Sequence, residues 1–314
     1  MVNGYLPKPQ GYVTKEVMTN NTQSTSQEWT IKRLLDWTCD YFEKFEIEEP
    51  RLTAEMLLAH VLDIQRIELY VKFDEVPTTG QMATYKSLMQ RAAKHEPVSY
   101  LTGTAHFFSL SFKVNSHTLI PRPETEGLVM RALAFLKTLE SSNPTALDLC
   151  TGSGCVAAAI AQNNKSAKVT ALDISKETCE VASENITAIG LDTQVTVIES
   201  DLFNALDSNA CFNIITANPP YINTQEYQAL DKNVKDFEPE LALHAGTDGL
   251  DVIRNIIIQS KDRLQMGGKL IMEIAWNQSE QVQQLMQESQ WLSEIKTIKD
   301  EQGHERIIEG MKTS

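Results

Sequence analysis

The sequence is poor in the patterns that build disulfide frameworks, metal sites and membrane spans. Its five cysteines, Cys39, Cys150, Cys155, Cys179 and Cys211, include no Cys-x-x-Cys pair and no zinc-like spacing. That predicts reduced thiols in a cytoplasmic protein. None of the six histidines pairs at helical ligand spacing with another His or a Cys, so no metal is expected. The longest apolar run near a helix, Cys155 to Ala161, falls far short of the roughly 20 residues a membrane span needs. The N-terminus also lacks the charged-then-apolar layout of a signal peptide. Basic residues are scarce, 28 against 42 acidic ones for a net charge of −14. Such a balance argues against a long phosphate-binding surface, which is carried by clustered Lys and Arg. Neither a nucleic acid nor a membrane is therefore an expected direct partner. What is present, 42% hydrophobic and 22% charged residues in a chain of 314, suits a soluble protein of about two domains.

Along the chain the organisation reads in four pieces. Residues 1–28 are polar, with a Thr/Asn/Gln/Ser cluster at Thr19 to Gln27 and no periodicity, and are expected to form a mobile tail. Over residues 29–98, Ile31, Leu34, Leu35, Phe42 and Phe45 share a helical face, and Pro50 suits a first helical turn ahead of Leu52, Met56, Ala59 and Leu62. Thr78 and Gln81 have capping-box spacing before Met82, Tyr85, Met89 and Ala92. These make a small helical domain whose apolar stripes read as core, with its outer face available to a partner. Residues 99–118 read as a β-hairpin linker built on Phe107, Phe108, Leu110, Phe112 and Val114 around a Ser-containing turn.

Residues 119–314 alternate strands and helices, the pattern of a doubly wound α/β sheet. Strands are expected at 145–149, 168–172, 194–199 and 212–217, then at 269–274, with a late antiparallel pair at 295–299 and 306–309. That ending differs from a dinucleotide-binding Rossmann domain. Ahead of the first strand, Pro121-Arg122-Pro123 fixes an extended path, and Glu124 and Glu126 open a helix. The two carboxylates serve either as helix-terminal charge or as contacts to a ligand.

Two stretches carry chemistry. The apolar run ending at Ala217 is cut by Asn218-Pro219-Pro220-Tyr221, since a proline pair cannot continue a central strand. Ligands of open α/β sheets bind at that carboxyl edge. The Asn218 side-chain oxygen and the Pro219 carbonyl can each accept one N–H of a planar NH2 group, so the tetrapeptide reads as a clamp for an amide or an exocyclic amine. The plain alternative is a turn that ends a strand.

Upstream, Cys150-Thr151-Gly152-Ser153-Gly154 lies between a strand and a helix, where Gly152 and Gly154 let a ligand approach backbone and helix N–H groups. Asp173 ends the next strand, at the place from which a carboxylate accepts ribose hydroxyls. Alone, Gly152-x-Gly154-x-x-Ala157 also fits the dinucleotide fingerprint. Hydride transfer has no use for the clamp, so a nicotinamide oxidoreductase explains only half of the pattern.

From about Trp29 to Glu309 the sequence resembles S-adenosyl-L-methionine-dependent methyltransferases, and among them the protein-glutamine N5-methyltransferases of peptide chain release factors. The resemblance is carried by Pro97 to Gly103, Pro121 to Glu126, Asp148 to Gly154, Asn218 to Tyr221, and Phe237-Glu238-Pro239-Glu240 leading to Gly249. The clamp alone is shared with adenine-N6 DNA methyltransferases; its combination with the other segments is more specific. The resemblance implies that Cys150, Thr151, Gly152, Ser153 and Gly154 line the methionine end of S-adenosyl-L-methionine and that Asp173 holds the ribose. It further implies that Leu202 flanks the adenine, with Asp201 a candidate to hydrogen-bond it. Asn218, Pro219, Pro220 and Tyr221 then hold the glutamine of a Gly-Gly-Gln loop, with Tyr221 packed on its side chain, in a chain expected to act as a monomer. Two positions depart from the usual pattern. Cys150 replaces a glycine, which is tolerable at negative φ, and Leu202 replaces a frequent aromatic, which weakens adenine stacking. An adenine-N6 methyltransferase and a non-catalytic cofactor-binding interaction protein stay open as alternatives.

Overall fold

The computed structural model describes residues 28–313, so the expected tail lies outside the described residues apart from Glu28. The first unit consists of α1 (Ile31–Glu43), α2 (Pro50–Leu62), α3 (Glu68–Val71), α4 (Thr79–Ala92) and α5 (Val98–Thr102). Its ends follow from local chemistry. The Thr30 hydroxyl accepts from Arg33 N at the start of α1, and Thr78 and Gln81 form a reciprocal capping box on α4. The core holds Ile31, Leu34, Leu35 and Phe42 against Ala54, Leu57, Leu58, Tyr85 and Met89.

Two details differ from the sequence reading. Phe45 falls beyond the end of α1 and is 43% exposed. On α2 the deepest apolar side chains are Ala54, Leu57 and Leu58 rather than Leu52, Met56 and Leu62, because α1, α4 and α5 all pack on this helix and cover more than one stripe. Burial there includes Glu55, whose carboxylate accepts from Arg51 Nε (2.7 Å) and Tyr70 OH (2.5 Å).

The hairpin is shorter than its expected span. Val98–Thr102 forms a helical turn ending at Gly103 (φ 70°), and strands β1 (Thr104–Phe107) and β2 (Leu110–Lys113) follow. Phe108 and Ser109 at its tip both have positive φ, the geometry a two-residue turn needs to match strand twist. One amide ties the hairpin to the second unit. Asn185 Oδ1 accepts from Lys113 N (2.7 Å), while its Nδ2 donates to the carbonyls of Lys113 (3.0 Å) and Ser153 (2.9 Å).

The second unit is the doubly wound sheet anticipated from the alternating pattern, with an antiparallel ending. After α6 (Glu126–Leu136) come β3 (Thr145–Leu149), α7 (Cys155–Asn163), β4 (Lys168–Asp173), α8 (Lys176–Ile189), β5 (Val195–Glu199) and β6 (Phe212–Ala217). Then follow α9 (Thr224–Ala229), α10 (Lys232–Lys235), α11 (Asp251–Ser260), β7 (Leu264–Glu273), α12 (Ser279–Glu288), β8 (Leu292–Lys299) and β9 (Glu305–Lys312). Strand order is β5-β4-β3-β6-β7-β9-β8, parallel through β7 and antiparallel thereafter. Helices cover both faces, which is why β3 and β6 read as continuous apolar runs. Their carboxyl ends lie side by side, Leu149 opposite Ala217, at the point where the chain reverses its direction of travel across the sheet.

Candidate active site

A cavity of about 280 Å³ opens at this switch point. Its floor is the turn after β3. Thr151 N donates to the Leu172 carbonyl (3.0 Å) and Gly154 N to the Thr151 carbonyl (2.9 Å), so the turn is held by backbone on both sides. Gly152 has φ 56° and nothing within 4 Å of where a Cβ would sit, which leaves open space above the loop. Gly154, by contrast, does not reach the cavity wall. At φ 81° it heads α7, and a Cβ there would press on Ala182 of α8 at 3.3 Å, so its smallness serves helix packing.

Cys150 and Leu202 both line the cavity, at φ 55° and 47°. The negative φ that would make Cys150 an easy replacement for glycine is therefore not adopted. The turn needs a left-handed residue there, and the cysteine takes that conformation with its side chain in place. Burial, reinforced by Asp173, Asp148 and Asp201, pushes its thiol well above the usual range and keeps it neutral. Leu202 is held by Ser200, whose hydroxyl donates to the Leu202 carbonyl (2.7 Å) and accepts from Ala205 N (3.0 Å).

Three carboxylates face the cavity: Asp148, Asp173 and Asp201. Asp173 accepts from Gly152 N at Oδ2 (3.0 Å) and from Ser175 N at Oδ1 (3.1 Å), which fixes the plane of the carboxylate. Asp148 is only 1% exposed, and burial pushes its carboxyl up to about 6 against the pull of the Thr151 and Thr216 hydroxyls. Those hydroxyls donate at 2.6 and 2.8 Å. The sequence places Asp148 within a motif but gives it no role; the signal it offers is a lone acid in an apolar strand. The cavity is thus acidic, and the Gly152 N–H that a pyrophosphate would need is already bonded to Asp173. This donor set suits a cationic ligand with a diol and disfavours a dinucleotide.

The opposite wall holds Asn218 and Pro220. Asn218 Nδ2 donates to the hydroxyl of Thr125 (3.2 Å), a residue 2% exposed in the 3-10 turn Pro123–Thr125. No described residue donates to Asn218 Oδ1, so the carboxamide is anchored by nitrogen with its oxygen end uncommitted. Thr125 has no role in the sequence reading, although the segment containing it stands out. Glu126, the next residue of that segment, acts structurally: its Oε1 accepts from Phe108 N in the hairpin tip (2.8 Å).

Pro219 and Tyr221 do not line the cavity. Pro219 is buried. Tyr221, expected against the substrate, instead packs on the core beneath the sheet edge and donates from its hydroxyl to Glu273 Oε1 (3.3 Å). Burial pushes its phenol further up, so it stays neutral. Its carbonyl accepts from Gln278 Nε2 (2.9 Å), and Gly249 passes so close that a Cβ there would collide with that carbonyl.

The segment after the tetrapeptide forms the outer wall. Ile222 N donates to the Leu243 carbonyl and Ala245 N to the Ile222 carbonyl, at 2.9 Å each, which brings Pro239, Leu241 and His244 to the cavity. Glu238, 5% exposed, anchors it by an ion pair with Arg122 and by accepting from Ile120 N (3.2 Å).

A family model described as the PrmC N-terminal domain matches residues 33–103, and one described as the methyltransferase small domain matches residues 131–237. The chain is 42% identical to the release factor glutamine methyltransferase of Rhodopirellula baltica over 91% of this chain and 97% of that one. It is 38% identical to the Leptospira interrogans protein of the same name, over 89% and 97%. Among solved structures, the hMettl16 catalytic domain, determined with an RNA hairpin, superposes with a TM-score of 0.51 at 15% identity. The match covers 66% of this chain and 76% of that one, a likeness of fold.

Proposed function

The chain belongs to the release factor glutamine methyltransferase family, and from that premise we infer that it methylates the side-chain nitrogen of a release-factor glutamine. The methyl donor is S-adenosyl-L-methionine and the target lies in a Gly-Gly-Gln loop. The observation that carries the reading is the Asn218 carboxamide, held by its nitrogen on buried Thr125 with its oxygen free at the wall of an acidic cavity.

The residues present fit the donor. Open space over Gly152 admits the methionine end, the carboxylates of Asp148 and Asp201 complement positive charge, and Asp173 retains lone pairs for a ribose diol. When bound, S-adenosyl-L-methionine supplies an electrophilic methyl on a sulfonium. Everything else falls to the protein. An amide nitrogen is a poor nucleophile because its lone pair is delocalised into the carbonyl. Accepting one N–H at Asn218 Oδ1 returns electron density to nitrogen and holds it in line. The Pro219 carbonyl, the second acceptor expected from the sequence, belongs to a buried residue outside the cavity lining, so the mechanism rests on Asn218. Pro220 forms the adjoining wall, and Tyr221 supports the tetrapeptide from behind. The methylated, protonated amide is acidic enough to lose its proton to water, so no strong base is required.

The test is transfer of label from radiolabelled S-adenosyl-L-methionine to release factor, to duplex DNA, or to the enzyme alone. Label confined to the release-factor glutamine is expected. Label on adenine instead, or on nothing, would overturn the assignment.

A further inference from the structure

Behind the Asn218 wall lies a carboxyl that the chemistry above does not use. Glu273 ends β7, is 2% exposed, and its Oε2 has no hydrogen-bond partner among the described residues. A buried, half-satisfied carboxyl is costly, and a native protein that keeps one calls for a reason. Burial pushes it up to about 7, against the pull of the Thr125 and Tyr221 hydroxyls. Its other charged neighbours come from several elements. Arg306 of β9 favours its charge, and Glu124 in the turn before α6 opposes it. Cys155 of α7 also feels its field. Tyr221 donates to Oε1 at 3.3 Å.

Thr125 Oγ1 accepts from Asn218 Nδ2, so its own proton must point elsewhere, and the Glu273 carboxyl, which feels the Thr125 hydroxyl, is the acceptor that faces it. The direction of this chain of hydrogen bonds decides which end of the Asn218 carboxamide faces the cavity.

We propose that Glu273 is a positioning residue: as a carboxylate it accepts the Thr125 hydroxyl proton and so fixes the Asn218 oxygen toward the substrate amide. In its protonated form it donates to Thr125, whose hydroxyl then turns on Asn218 and selects the flipped amide. That arrangement presents NH2 to NH2 and cannot hold the substrate. The inference rests on the reading of Asn218 as the acceptor of the substrate's N–H group.

Two readouts test it separately. In the cofactor-loaded protein, the side-chain 15N resonance of Asn218, assigned by its loss in Asn218→Ser, is expected to titrate near pH 7 and to stop doing so in Glu273→Gln. In methyl transfer to release factor, wild-type kcat is expected to fall about tenfold per pH unit below that midpoint. The Glu273→Gln variant should lose this limb. Glu273→Leu should depress kcat at every pH while leaving cofactor affinity within about threefold, which also verifies that it folds. A resonance that does not titrate, or a pH limb unchanged in Glu273→Gln, overturns the relay. A titrating resonance without any methylation of release factor overturns instead the proposed function.

Discussion

The Thr125–Asn218 bond offers a sharp test of how the clamp is oriented. Thr125→Val removes the hydroxyl with little change of shape at a site 2% exposed, and leaves the Asn218 amide without the acceptor it now has at 3.2 Å. A neutral bond of this kind is worth about 0.5–1.5 kcal/mol net, so kcat should fall roughly 2- to 13-fold through loss of the correct amide orientation. Asn218→Ala removes the acceptor itself, and by analogy with a preorganised group facing developing charge should cost about 10²–10³ in kcat. Neither change touches the loop at Gly152 or Asp173, so the cofactor dissociation constant should move by less than about threefold in each. The decisive assay is the double-mutant cycle, with kcat for release-factor methylation measured in the two single variants and the combination. If Thr125 acts only by aiming Asn218, then Thr125→Val has no further effect once Asn218→Ala is present. An equal drop in both backgrounds would refute the orientation argument and make Thr125 an independent contributor.

Asp173→Ala should weaken cofactor binding at least tenfold, since charge-assisted bonds contribute about 1.5–3 kcal/mol each; calorimetry showing an unchanged dissociation constant would remove its ribose role. At Cys150 the left-handed backbone favours glycine, so Cys150→Gly should exceed Cys150→Ala in stability by about 1 kcal/mol. Both variants lack the thiol, which makes their urea midpoints directly comparable, and equal midpoints would show the turn to be unstrained. For Asp148, a folded carboxyl raised from 3.8 to about 6 favours the protonated protein. Its contribution is present below pH 4 and is lost as pH rises through 6, by up to about 3 kcal/mol. Thermal unfolding of cofactor-free protein should therefore decline more steeply between pH 4 and 7.5 than that of Asp148→Asn. Parallel curves would show that burial does not shift this group.

Much of this fold is legible in the chain because burial on both faces leaves a plain mark. Thr145 to Leu149 and Phe212 to Ala217 are short apolar runs with defined stops, and both are strands with those limits. Capping chemistry is equally local, as at Thr78 and Gln81. The outer wall of the cavity is not legible. Between Tyr221 and Gly249 the helices are four to six residues long, with no buried side chain in either, so they carry no periodic stripe. Nor can the sequence pair Asn218 with Thr125, 93 positions apart, or turn Tyr221 away from the cavity. The backbone at Cys150 illustrates a narrower limit. The resemblance implies a glycine there, yet only the turn geometry shows that the cysteine accepts the left-handed conformation rather than escaping it.

Asn185 gives the two-unit layout a mechanical meaning. By clasping both backbone groups of Lys113 and the carbonyl of Ser153, one amide welds the connector to the turn that floors the cavity. The hairpin is thereby held at a set bearing and reach from the Asn218 wall, as a jig holds a workpiece to a tool.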